Sequence, residues 1–364
     1  MHTHPIPAHH GSRRLKWTVS ALAIAAASLV VCELVLRLVW TNPYRNELPD
    51  RVLEARLPHR GIDLVWDRTA VDASSPVVRF RTDDRGYILG AKRFSHPDLT
   101  VAFVGGSTTE CSAVQEGRRT NDVFSTQLAS SGLRVNALNA GKNANTLHDS
   151  LNNWLNHIVN DQPDVVVIMH VANDVGELAT NGDYARRQFR DDNARRSFRT
   201  VAKALSRLTS VGGSLRNLDG GLPSPSGVGP TVAERRKSVR LRDTLPYRQR
   251  LLAMVRSVRA FGAEPVLVTE PLSSMRNELT PKWADSAGQD ALNQVVREVG
   301  LAEAVTVVDL ARHIQFEVPN YTVPMHIFYD GMHVTDRGAR VYGEELARRL
   351  RPWLTRMAAA KSRP

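Results

Sequence analysis

Two short motifs far apart in the chain hold side chains that could do chemistry together. Ser107 lies in the turn Gly105-Gly106-Ser107-Thr108-Thr109 after an apolar stretch, and Asp330 and His333 stand three residues apart near the C-terminus. A serine hydroxyl is a poor nucleophile at neutral pH, so Ser107 would need a base. His333 could take the serine proton and later return it, and Asp330 could fix the imidazole tautomer. The set predicts acyl transfer through a serine nucleophile, whereas Ser107 alone would be interpreted as a helix cap.

Four short blocks carry a resemblance to a known family. The G-x-S-x-G signature of α/β-hydrolases is absent around Ser107, so that fold is not supported. The chain instead resembles the SGNH (GDSL-type) hydrolase family, which is built on blocks centred on Ser, Gly, Asn and His. All four occur in order, as Gly105-Gly106-Ser107, Asn139-Ala140-Gly141, Ala172-Asn173-Asp174 and Asp330-Gly331-Met332-His333. The resemblance covers roughly residues 99 to 350. One departure is Gly106, where the family usually has Asp; some membrane-anchored members share Gly-Gly-Ser-Thr-Thr.

The resemblance also implies donors for the oxyanion of a tetrahedral intermediate. It assigns them to the backbone N–H groups of Ser107 and Gly141 and to the side-chain amide of Asn173. A side chain at Gly141 would be expected to crowd the substrate, and an asparagine amide donates without carrying charge. Loss of one such donor typically costs about 2.7–4 kcal/mol of transition-state stabilisation.

The composition fits a globular domain with a hydrophobic core and basic segments added to it. The chain has 364 residues, 42% of them hydrophobic, and a formal net charge of +11. Residues 181 to 250 contain 16 Lys and Arg against 6 Asp and Glu, and a smaller basic cluster precedes residue 17. The rest of the chain is slightly acidic. Of the two cysteines, Cys32 lies inside an apolar run, so no disulfide with Cys111 is expected.

An apolar segment near the N-terminus predicts a membrane anchor. Residues 17–40 supply the roughly 20 residues that a spanning helix needs. Glu33 and Arg37 are four residues apart and could pair on one helix face. The basic cluster in residues 1–16 favours a cytoplasmic tail, which would place the catalytic part outside the cytoplasmic (inner) membrane, in the periplasm. The alternative is a cleaved signal peptide, although no clean Ala-x-Ala site follows.

From Leu99 onward, strand-like and helix-like segments alternate. This alternation predicts an α/β fold with a parallel central sheet in three α/β/α layers, flavodoxin-like in outline. Ser107, Gly141 and Asn173 each follow the C-terminal end of a predicted strand, the edge where open α/β sheets bind ligands. We expect the domain to span residues 99–355, behind a connecting region with short strands at 41–98.

Residues 181–245 interrupt the alternation and predict a basic insertion beside the site. Apolar residues at helical spacing from Ala194 to Leu208 predict a helix, and a stretch rich in Gly, Pro and Ser follows. The insertion could be a lid, or residues 181–250 could contact anionic lipid headgroups or an acidic polymer. It could equally be a solvated basic face without a specific partner.

These observations predict a membrane-anchored serine esterase that acts through an acyl-enzyme on Ser107. The resemblance to anchored family members suggests O-acyl groups, O-acetyl foremost, on a cell-surface or exported carbohydrate. The alternatives are a lipid-directed esterase or lysophospholipase, an O-acyltransferase using the same acyl-enzyme, and an inactive protein that binds glycan or a partner. No ligand spacing calls for a metal, and no cofactor is expected. Nucleic acid is not expected as a partner, because an extracytoplasmic protein rarely meets it.

Overall fold

The structure is a computed structural model. It describes residues 10–40, 56, 59–90, 93–184, 209–210, 241–273 and 286–362. The contact pattern divides the chain into two units, one of residues 1–47 with 192–221 and one of the remainder. The predicted helix at 194–208 lies outside the described residues.

The larger unit is built on a five-stranded sheet in which all neighbouring strands are parallel. Its strands are β3 (Leu99–Gly105), β4 (Val135–Asn139), β5 (Val165–Met169), β6 (Glu264–Val268) and β7 (Thr306–Val308), in the spatial order β4-β3-β5-β6-β7. The central strand β5, Val-Val-Val-Ile-Met, is buried along its whole length. Such an uninterrupted apolar run suits a strand covered on both faces.

Helices cover both faces of this sheet, and alternate residues of each strand feed two separate cores. Val101 and Val167 pack with α3 (Thr120–Ser130), α8 (Leu310–Glu317) and α9 (Asp336–Lys361). Ala102 and Val166 pack on the other side with α4 (Leu147–Asn156), α5 (Ala172–Asn181), α6 (Leu245–Ala260) and α7 (Ser286–Ala302). The predicted three-layer fold with a parallel central sheet is therefore confirmed.

A two-stranded antiparallel hairpin precedes the sheet. Its strands are β1 (Asp63–Asp67) and β2 (Val77–Arg81), and Trp66 stacks on Phe80 with ring centroids 4.3 Å apart. Arg68 is only 2% exposed and donates both to Asp336 Oδ1 and to the carbonyl of Ala113, each at 2.7 Å. These bonds tie the hairpin to the start of α9, a few residues after His333.

The N-terminal unit contains α1 (His10–Val39), a single long helix. Among the residues described, its Val19–Val39 part is the one stretch long and apolar enough to cross a membrane. Arg37 Nε donates to Glu33 Oε1 at 2.7 Å, the pair expected from their spacing. The helix begins seven residues before the predicted segment, at the basic cluster.

Candidate active site

Three strand ends place the first three sequence blocks along one edge of the sheet. Ser107 begins α2 (Ser107–Glu110), a single helical turn directly after β3. Gly141 follows β4, and Asn173 lies in the first turn of α5, just after β5. Because neighbouring parallel strands end at the same side, the three blocks converge although they are far apart in sequence.

Ser107, His333 and Asp330 form a continuous hydrogen-bonded chain. Ser107 Oγ lies 2.7 Å from Nε2 of His333, and Nδ1 of the same ring lies 2.6 Å from Oδ2 of Asp330. All three residues are buried, Asp330 completely. Nδ1 can donate to the carboxylate while Nε2 accepts from the serine, which is the tautomer that a general base requires.

The loop that carries Asp330 and His333 is held by its own backbone. Oδ1 of Asp330 accepts from the N–H groups of Met332 and His333, at 2.9 and 2.7 Å. Gly331 between them has a φ of 89°, a left-handed conformation that glycine adopts without a steric penalty. The turn therefore points one carboxylate oxygen at the backbone and leaves the other for the imidazole.

The electrostatic surroundings of His333 favour a protonated ring. Burial alone would lower the pKa of His333, but the neighbouring negative groups together outweigh burial and raise the pKa above its ordinary value, Asp330 most strongly through its charge and its hydrogen bond. Glu270 and Glu110 act in the same direction through their negative charge. The ring of Tyr329 stacks beside the imidazole, with centroids 5.6 Å apart. His333 can thus hold a proton taken from Ser107.

The side chain of Asn173 lies against the serine turn, which accounts for Gly106. Asn173 Nδ2 donates to the carbonyl of Asn145 at 2.9 Å. A Cβ atom at Gly106 would come within 2.3 Å of this same Nδ2. A larger residue at position 106, such as the aspartate usual in the resembling family, would displace the Asn173 amide from its present place.

Gly141 is placed differently from the sequence-based expectation. A Cβ atom there would meet the backbone of α2, 2.4 Å from Glu110 N and 2.7 Å from Thr109 C. The glycine is therefore needed for packing against the nucleophile turn, a reason that the sequence did not give. The expected crowding of the substrate stays a prediction. Its N–H donates to Oδ1 of Asn139 at 2.9 Å. That donor is thus already used within the chain.

A second Ser–His–Asp set lies beneath the sheet edge and was missed in the sequence. Ser150 Oγ lies 2.7 Å from His170 Nε2, and His170 Nδ1 lies 3.8 Å from Asp174 Oδ2. Burial lowers the pKa of His170 to about 3 and raises the pKa of Asp174 to about 8. A ring so hard to protonate beside a neutral acid is a poor general base. Asp174 instead accepts from Leu147 N at the start of α4, not from the helix in which it lies.

Within the described ranges, no group of three or more His, Cys, Asp and Glu side chains is placed to hold a metal ion.

Glu270, whose buried carboxylate lies near Ser107, was not assigned a role from the sequence. Its position depends on the pairing of β5 with β6, which no local motif announces.

Comparisons with known proteins find a matching family and several similar solved structures. A family model described as the GDSL-like lipase/acylhydrolase family matches residues 103–341. No curated protein matches the chain in sequence. Solved structures similar to it include a lipase/acylhydrolase from Enterococcus faecalis, with 18% identity, a TM-score of 0.46 and coverage of 70% of this chain and 96% of that one. An acetylxylan esterase from Geobacillus stearothermophilus has 17% identity, a TM-score of 0.43 and coverage of 72% and 94%.

The fold and the matched family together define a serine hydrolase that acts on ester bonds. The family model covers well over half of the chain, so this protein belongs to the GDSL-like lipase/acylhydrolase family.

Proposed function

We propose that the protein is a membrane-anchored serine esterase that removes O-acyl groups, O-acetyl foremost, from a cell-surface or exported carbohydrate. The observation that carries the catalytic part is the unbroken chain from Ser107 Oγ through His333 to Asp330, with steps of 2.7 and 2.6 Å. It lies at the sheet edge where α/β folds bind ligands.

The proposed reaction has two halves that share one acyl-enzyme. His333 Nε2 takes the proton of Ser107 as Oγ attacks the ester carbonyl, and Asp330 stabilises the resulting imidazolium. His333 then gives this proton to the departing alcohol oxygen, leaving the acyl group on Ser107. In the second half His333 activates a water molecule in the same way, and the acid leaves as Ser107 regains its proton. A sugar hydroxyl in place of water would give transfer instead of hydrolysis.

Donors for the oxyanion are proposed at the N–H of Ser107 and at the Asn173 amide. Asn173 Nδ2 uses one proton on the Asn145 carbonyl, which leaves its second proton free to donate. Gly141 is less well supported, because its N–H already donates to Asn139.

The apolar helix supports the proposed location. The Val19–Val39 segment has the length and composition of a membrane span, and basic residues precede it. A helix inserted with this end in the cytoplasm would carry the enzyme on the outer side of the cytoplasmic membrane, in the periplasm. The carbohydrate substrate is proposed from the resemblance to anchored family members with Gly-Gly-Ser-Thr-Thr.

The test is covalent labelling of the detergent-solubilised full chain with a fluorophosphonate probe. We expect the wild type to be labelled and both Ser107→Ala and His333→Ala to lose labelling, since the first removes the nucleophile and the second its base. Ser150→Ala is a matched control, because Ser150 lies at the same 2.7 Å from a histidine in the buried set. It should be labelled like the wild type.

Two results would contradict the proposal. Labelling that survives Ser107→Ala would place the reactive serine elsewhere, and an unlabelled but folded wild type would favour a binding protein. Given labelling at Ser107, turnover of acetylated oligosaccharides should exceed turnover of long-chain esters and lysophospholipid. The reverse preference would favour the lipid-directed esterase.

A further inference from the structure

A buried carboxylate stands beside the catalytic chain without a part in it. Glu270 follows the end of β6 by two residues and is only 3% exposed. It belongs to none of the four sequence blocks. An acid buried this deeply is costly unless each oxygen finds donors, so the partners of Glu270 indicate its role.

The two carboxylate oxygens bind two different parts of the site. Oε1 accepts from the hydroxyl of Thr108, next to Ser107 in α2, at 2.6 Å. Oε2 accepts from the N–H groups of Val171 and Ala172, each at 2.7 Å, where α5 begins. One side chain therefore joins the turn that carries the nucleophile to the helix that carries Asn173.

The backbone of Glu270 is itself fixed from α7. Its N–H donates to Asn293 Oδ1 at 2.9 Å, and its carbonyl accepts from Asn293 Nδ2 at 2.9 Å and from Gln289 Nε2 at 3.0 Å. All three residues are buried. Glu270 is thus held in a single position from which both of its oxygens reach the site.

The charge of Glu270 also acts on the site. Burial raises the pKa of Glu270, while Thr108, the two backbone donors and His333 oppose this effect. The Thr108 hydroxyl and the N–H groups of Val171 and Ala172 donate to the carboxylate in the observed arrangement, and such donors favour its ionised form. The negative groups that raise the pKa of His333 are Asp330 on its own loop, Glu270 after β6 and Glu110 in α2.

We propose that Glu270 is a positioning residue of the esterase, which sets the distance between the Ser107 turn and Asn173 and adds to the negative charge that faces His333. This inference rests on the proposed function. Glu270 acts through Thr108 and the start of α5 and takes no proton in the reaction. Its two contributions, hydrogen bonding and charge, can be removed separately.

The experiment measures the rate constant of probe labelling against pH for the detergent-solubilised full chain. Glu270→Gln removes the charge and one acceptor; we expect a rate about 10- to 100-fold lower and an ascending pH limb moved to lower pH. The shift follows because losing a negative neighbour lowers the pKa of His333. Thr108→Val breaks only one arm, so the rate should fall while the pH midpoint stays. Thr108→Ser keeps the hydroxyl and should restore the rate.

Glu298→Gln is the matched control, because it makes the same change on the exposed side of α7. It should alter neither rate nor midpoint. The inference is overturned if Glu270→Gln and Thr108→Val both match the wild type in rate and midpoint while Ser107→Ala abolishes labelling. Should Glu270→Gln fail to fold, Thr108→Val against Thr108→Ser decides the positioning role. If Ser107→Ala still labels, the proposed function fails first, so the two failures are distinguishable.

Discussion

At the residue scale, the protonation state of the site is set by which atoms of each side chain are already hydrogen-bonded. Asp330 gives one oxygen to two backbone N–H groups and the other to His333. The carboxylate accepts on both sides and so forces the proton of the imidazole onto Nδ1. His333 Nε2 is left as the acceptor for the Ser107 hydroxyl. The orientation of one buried acid thereby sets the base.

Replacing Asp330 with asparagine should reverse this arrangement. The amide oxygen would keep the two backbone donors, so its NH₂ would face His333 Nδ1 and donate to it. The imidazole would then carry its proton on Nε2 and could not take the proton of Ser107. We expect the labelling rate of Asp330→Asn to fall by about 10⁴-fold, as in other serine triads.

The same substitution removes the largest effect that raises the pKa of His333. The residual activity of Asp330→Asn should therefore reach its plateau at lower pH than that of the wild type. Asp290→Asn, on the exposed side of α7, is the control for amide substitution. A rate for Asp330→Asn within tenfold of the wild type would mean that Asp330 does not orient the base.

At the element scale, the nucleophile turn is held in place by close backbone approach. Gly141 on the β4 loop lies directly against α2, and the N–H of its neighbour Lys142 donates to the carbonyl of Gly105 at 3.1 Å. On the other side of the site, Val71 of the hairpin packs with Tyr329, which stacks on His333. The β4 loop thus supports the nucleophile turn, and the hairpin supports Tyr329 beside the base His333.

Gly141→Ala should therefore damage the site through packing. The new Cβ would lie 2.4 Å from Glu110 N, and this backbone atom can yield only if α2 moves with Ser107. We expect a loss of about 1–3 kcal/mol in unfolding free energy, together with a slower labelling rate. Gly300→Ala is the control, because its Cβ would meet Val307 Cγ2 at 2.1 Å, away from the site. It should lower stability and leave the labelling rate unchanged; equal labelling by both variants would contradict this role of Gly141.

Elements and motifs differ in how far the sequence predicts them. The five strands could be predicted because each is a short apolar run, and helix α3 (Thr120–Ser130) could be predicted because Val123, Phe124 and Leu128 recur at helical spacing. The bounds of helix α5 could not be set from the sequence, because its buried face includes Asp174 and Glu177, which weakens the apolar periodicity. Helix α8 was missed because only Leu310 and Ile314 are buried in it.

The site follows the same division between local and distant information. Ser107, Asp330 and His333 lie in motifs only a few residues long, and the structure brings the three together. The hydrogen bond from the Gly141 N–H to the Asn139 side chain depends on the side-chain rotamer of Asn139, which the sequence does not specify. The contacts of Glu270 with Thr108 and Ala172 span 162 and 98 residues. Such contacts arise only when β6 pairs with β5, so no single segment contains them.

At the scale of the whole molecule, several ionisable groups are buried near the sheet edge that carries the site. His170, Asp174 and Glu270 are all nearly inaccessible to solvent. Burial lowers the pKa of His170 to about 3. Folding therefore keeps this imidazole neutral at a pH where the unfolded chain would protonate it, and the stability of the fold depends on pH through a group outside the catalytic chain.

The sign of this dependence can be predicted. Because the pKa of His170 is depressed in the folded state, its contribution to stability is fully present above the ordinary value near 6.5 and is lost as the pH falls toward 3. Between pH 7.5 and pH 5 the loss amounts to roughly 2 kcal/mol of unfolding free energy. His170→Gln keeps an amide that can reach Ser150 and cannot titrate, so this part of the loss should disappear. The exposed His96→Asn should keep the wild-type dependence.

The measurement is chemical denaturation of the full chain in detergent at the two pH values. The variant should be less stable than the wild type at pH 7.5, because a buried side chain is replaced, and the gap should narrow at pH 5. The titration of Asp174 and His333 also changes the unfolding free energy with pH, but it does so in both proteins and largely cancels when the two are compared. A gap that stays constant with pH would show that His170 is protonated equally in the folded and unfolded chains. The histidine of the second Ser–His–Asp set would then be basic enough to act, and Ser150 would have to be reconsidered as a nucleophile.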